Sequence, residues 1–92
     1  MPLNDIDLAA IDSALAACAS AAAVRGVVTD LRARLPGFVV LSCDAADVLE
    51  DPWRTYPAID LHFVDTRNHC TEMTRDPAAA TGLLLAARGE AA

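Results

Sequence analysis

The stretch Ile59-Asp60-Leu61-His62-Phe63-Val64-Asp65 constrains this chain most. Ile59, Leu61 and Phe63 fall on one side of an extended backbone; Asp60, His62 and Val64 fall on the other. A period of two predicts a half-buried strand over residues 58–65. A strand needs neighbours and a layer to cover its apolar face. A second run, Phe38-Val39-Val40-Leu41-Ser42-Cys43, is β-branched and bounded by Pro36-Gly37 and Asp44, so it predicts another strand. Asp65-Thr66-Arg67-Asn68 reads as a hairpin turn. His69 to Thr74 then returns as a third strand, antiparallel to the second.

The covering layer comes from three helical segments. Residues 5–19 start at a capping residue, Asn4 or Asp5, and carry the stripe Ile6, Ala10, Ile11, Leu15, Cys18 and Ala22. Val24, Val27, Val28, Leu31 and Leu35 form a second stripe, about half a turn out of phase. One straight helix cannot turn both stripes to one core. The chain is therefore expected to break near Ser20, which would cap a second helix over 21–35. Gly26 weakens that helix and Pro36-Gly37 ends it. Asp76-Pro77 has the form of a helix start, a cap followed by proline at the first helical position, and predicts a last helix over 76–88. Leu84 and Leu85 lie about 100° and 200° round from Leu83 on that helix. One of them would reach an outer surface suited to a homodimer or a partner.

The expected order is ααβββα, an α+β domain in which a three-stranded antiparallel sheet is covered by helices on one face. Ninety-two residues make one domain, 1–92. It divides into a helical hairpin over 5–35, an antiparallel sheet over 38–74 with an acidic loop at 44–57, and the helix over 76–88. A chain this short buries only about 60–65% of its unfolded surface. Of its 50 hydrophobic residues, 20 are alanine, so the core is thin.

All seven cations are arginine and the net charge is −6. That charge argues against nucleic-acid binding and against docking on anionic membrane. Neither a basic, apolar leader nor a membrane-length apolar run is present in the sequence, so a cytoplasmic protein is expected. Three cysteines, an odd number, predict free thiols rather than a disulfide framework.

Two groups of residues could carry function. The loop 44–57 holds Asp44, Asp47, Glu50 and Asp51 against one cation, Arg54, together with Trp53 and Tyr56, the sole tryptophan and tyrosine. Aromatics beside arginine are favoured at protein–protein contacts. Trp53 either serves such a contact or folds back over the thin core, two readings of equal weight. The second group is Cys43, His62 and Cys70. Thiolate and imidazole bind zinc or iron–sulfur clusters, and the three share a face if the first strand lies beside the second. Neighbouring His69 and Cys70 point to opposite faces, and close-spaced ligand pairs such as C-x₂-C are lacking. A two-residue turn at Thr66-Arg67 would set Phe63 opposite Cys70, an apolar setting that makes a thiol inert. Phosphate-loop, dinucleotide and nucleophile-elbow motifs are missing too. The residues therefore predict a non-enzymatic accessory protein that binds another protein. A metal- or cluster-handling role is the alternative.

The segments Ile59–Asp65, His69-Cys70 and Asp76–Ala86, with Leu35-Pro36-Gly37 and Cys43 before the acidic stretch, resemble a family of small uncharacterised proteobacterial proteins. Genes of that family lie in nitrogen-fixation neighbourhoods. The resemblance spans about residues 5–88. It implies an accessory role near nitrogenase assembly, protection or electron supply, and assigns no catalytic residue.

Overall fold

The computed structural model describes residues 3–67 and 71–88. Helix α1 spans Asp5–Ala16. Asn4 caps it: its side chain accepts from the Asp7 N–H at 2.8 Å, and the Asp7 carboxylate accepts from the Asn4 N–H at 3.4 Å. This reciprocal box satisfies two donors that a helix start leaves open. The stripe buries Ile11 and Leu15, whereas Ile6 at its start is exposed. The chain breaks after α1, as the phase change requires. A 3₁₀ turn, Ala21–Ala23, leads into α2, Val24–Arg34. Ser20 does not cap α2; the residue before the helix is Ala23, without a side-chain cap. Val24, Val28, Leu31 and Leu35 of the second stripe are buried.

Among the described residues five strands form one mixed sheet: β1 Val39–Asp44, β2 Arg54–Thr55, β3 Ile59–Asp65, β4 Glu72–Thr74 and β5 Gly82–Ala87. β1 lies parallel to β5, β5 antiparallel to β3, and both β2 and β4 pair antiparallel with the outer edge of β3. The expected three-stranded antiparallel sheet is thereby corrected: β1 runs parallel to its neighbour, the loop read over 44–57 supplies β2, and two further segments differ. The segment read as a helix over 76–88 is a turn at Asp76–Ala79 followed by β5, which sits at the centre of the sheet. Alanine and leucine favour helices, but that preference is weak against tertiary pairing. A strand with no exposed residue on either face, as here, reads as an unbroken apolar run with no alternation to betray it. The other segment is the returning strand. Phe63 opposes Thr74, not Cys70, so the connection after β3 is longer than a two-residue turn. Asn68, His69 and Cys70 lie outside the described residues.

The register sorts the side chains by face. Ile59, Leu61, Phe63, Leu83, Leu85 and Val40 share one face and form the core with Ile11, Leu15, Val28 and Leu31 of the helices. His62, Val64, Leu84, Leu41 and Cys43 lie on the other face. β1 and β3 crowd β5 at Gly82. A Cβ there would meet the Val39 carbonyl oxygen at 2.7 Å and a Val64 methyl at 3.0 Å. No described helix is long and apolar enough to cross a membrane.

Candidate functional site

The outer edge of β3 is covered by two short strands that do not meet. β2 ends its pairing with Arg54 opposite Leu61, and β4 ends with Thr74 opposite Phe63. His62 lies between. One step beyond each strand, Trp53 arrives and Arg75 departs beside it. This break opens a cleft of about 420 Å³, within the range of small-ligand pockets. Trp53, Phe63 and Met73 supply its apolar walls, His62 its buried polar group, and Glu50 and Arg75 charges of opposite sign. Arg75 Nη1 donates to the Asp51 carbonyl at 3.3 Å and links the loop to the end of β4.

Trp53 resolves the two sequence readings into one arrangement. It packs on Phe63 with ring centroids 4.7 Å apart, and the Arg54 guanidinium lies 4.4 Å from the centre of its ring. The ring thus covers the edge of the core while still lining the cleft. An aromatic pair of this kind is worth roughly 0.5–1.5 kcal/mol beyond area burial. Leu49, by contrast, stands 94% exposed at the cleft's rim.

His62 is 4% exposed, and no solvent-sealed side-chain nitrogen or oxygen among the described residues is left without a hydrogen-bond partner. Burial lowers its pKa, against the opposing pull of Asp60 and Glu50. It is therefore neutral near pH 7, with one donor and one acceptor nitrogen.

The remaining candidates are dispersed. Tyr56 and Arg54 turn to the helix side: the Tyr56 hydroxyl donates to Asp12 Oδ1 at 2.7 Å, and Arg54 Nη1 reaches the same oxygen at 3.3 Å. They pin α1 to the sheet. Burial, followed by the Asp12 carboxylate, pushes the Tyr56 phenol up to about 12. Asp44 folds onto its own loop, accepting from the Ala46 N–H at 2.9 Å at the start of a 3₁₀ turn, Ala45–Asp47. Cys43 is half-buried on β1, its thiol pKa raised by burial and then by Asp47 and Asp44. Cys43 aligns with Ala86 and Asp60, whereas His62 aligns with Leu84 and Leu41. Two strand spacings and a two-residue offset separate them by roughly 12 Å. The structure does not bring Cys43 and His62 together, and Cys70 lies outside the described residues. Among the described residues no group of three or more metal-ligand side chains converges.

Glu50, Asp51, Trp53 and His62 were legible as candidates; their meeting with Phe63, Met73, Thr74 and Arg75 was not. Leu49, whose exposure at the cleft's rim only the structure shows, was not among the sequence candidates. These features define a small α+β domain whose concave site is a break in one sheet edge. The chain belongs to a family of unknown function, DUF6129, which it matches over residues 13–88. No curated protein and no solved structure matches it.

Proposed function

We propose that this protein is a non-catalytic accessory protein that binds another protein through residues 44–54 and the adjoining cleft. One observation carries the reading: an exposed Leu49, a half-buried Trp53 and a cleft adjoin a loop whose carboxylates have no ion pair among the described residues. Those of Asp12, Asp30, Asp60 and Asp65 are paired instead. A central aromatic anchor ringed by polar groups suits a binding hot spot. On this reading the protein works in the cytoplasm. The resemblance to proteins of nitrogen-fixation neighbourhoods directs the search to factors that assemble, protect or supply electrons to nitrogenase.

The test is affinity capture from cells expressing such factors, followed by calorimetry on the purified candidate. Wild-type chain should bind it, and Trp53→Ala or Leu49→Asp should weaken binding at least tenfold, about 1.4 kcal/mol. Binding that survives both substitutions and neutralisation of Asp47, Glu50 and Asp51 would refute this surface.

A further inference from the structure

We infer that the cleft receives an aromatic side chain with an uncharged hydrogen-bonding tip, tyrosine above all, carried on a basic segment of the partner. The inference rests on the partner-binding reading and supplies its chemistry. Buried polar groups in folded proteins are almost always hydrogen-bonded. The described residues follow this rule, none holding a solvent-sealed side-chain nitrogen or oxygen without a partner, and His62 is the imidazole that borders the cleft. Its neutral imidazole can accept from a phenol O–H or donate to the phenol oxygen. Trp53, Phe63 and Met73 offer a ring-shaped guest apolar and aromatic contacts.

The charges around the opening decide which tip fits. Arg75 lines it together with Glu50 and Asp51, and Arg75 Nη1 donates to the Asp51 carbonyl. A carboxylate or an ammonium entering the cleft would each meet its own sign, whereas a phenol meets neither penalty. Outside the cleft the balance changes. Asp44, Asp47, Glu50 and Asp51 form no ion pair among the described residues, on a chain of net charge −6. A basic flank complements that surface and speeds encounter.

Trp53 is the sole tryptophan and reports directly on the cleft. Three peptides of equal length serve as probes: tyrosine flanked by arginines, phenylalanine flanked by arginines, and tyrosine flanked by glutamates. Excitation beyond the tyrosine band isolates Trp53 emission. The arginine–tyrosine peptide should shift it saturably and should move the amide signals of His62 and residues 73–75. The phenylalanine peptide should bind about 3- to 10-fold more weakly, the loss of one hydrogen bond. The glutamate-flanked peptide should not saturate. His62→Leu, with wild-type circular dichroism, should bind the two arginine peptides equally. If that variant does not fold, the His62 ring ¹⁵N signals in wild type decide: they should move with tyrosine and stay with phenylalanine.

Equal affinity of the two arginine peptides for wild type, discrimination that survives in His62→Leu, or unmoved ring signals would each overturn the inference. If a purified partner still binds through Trp53 and Leu49 in that event, tyrosine recognition fails and the partner reading stands. If that partner also ignores Trp53 and Leu49, both fail.

Discussion

Substituting alanine at two glycines should move stability in opposite directions. At Gly82 the added Cβ would sit 2.7 Å from the Val39 carbonyl oxygen, 3.0 Å from a Val64 methyl and 3.1 Å from the Val39 Cβ. The nearest of these is backbone, and β5 is held on both sides, by β1 and by β3. Neither neighbour can yield without breaking register. Overpacking of this kind costs about 1–3 kcal/mol. The stiffer unfolded chain returns about 0.4–1 kcal/mol. Gly82→Ala should therefore lose roughly 0.5–2 kcal/mol, lowering Tm by roughly 3–15 °C for a domain of this size. Gly26, in α2, faces open space: a Cβ added there would meet nothing within 4 Å. There Gly26→Ala should gain about 0.5–1 kcal/mol, since glycine weakens a helix interior. Urea unfolding of both variants and the wild type, followed by circular dichroism, reads the difference. A Gly82→Ala protein as stable as wild type, or equal shifts in the same direction, would refute the packing of β5 between β1 and β3.

Further outcomes follow from single residues. Because burial lowers the His62 pKa from its ordinary 6.5, the unfolded chain takes up this proton first as pH falls. The contribution of neutral His62 is complete above about pH 6.5 and declines below it, so urea midpoints should fall from pH 7.5 to 5 and His62→Leu should flatten that slope. Asp65, held down to about 2 by Arg67, acts in a separate window, its contribution lost only as pH drops below the usual carboxylate range. Tyr56 is the sole tyrosine, so ultraviolet titration of the folded protein should place its phenol near 12, and Asp12→Asn should bring it down; an unshifted phenol in wild type would contradict the Asp12 contact. Finally, the Val39 N–H bonds to Thr81 on the β5 side, so Val40 points its backbone to the free edge of β1. Arg32 covers that edge, donating from Nε at 3.2 Å and Nη2 at 2.8 Å to the Val40 carbonyl. Charged side chains guard exposed edges against pairing with other chains. Arg32→Ala should therefore increase concentration-dependent self-association in light scattering, and an unchanged mass up to millimolar protein would count against the role.

Local physics made much of the fold readable. The Asn4 cap, the phase break between Leu15 and Val24, and the alternation around Leu61 are near-neighbour effects, and each appears in the structure. The candidate site was readable in part. His62 stood out as a possible metal ligand, and Trp53, Glu50 and Asp51 as an aromatic and two carboxylates in one loop. Arg75 and Met73 did not, since nothing near them in sequence shows that β4 ends beside His62.

The residues alone determined the α+β class, the helical pair and the central β3, because hydrophobic period and capping act within a few residues. Tertiary structure alone decided the fate of residues 76–88. Their alanines and leucines suit a helix or a buried strand equally well by pattern. Hydrogen bonds from two neighbouring strands selected the strand, placed Gly82 where an added Cβ is crowded, and left β2 and β4 apart at His62. Pairing between distant segments carries no local signature, and the cleft exists only through that pairing.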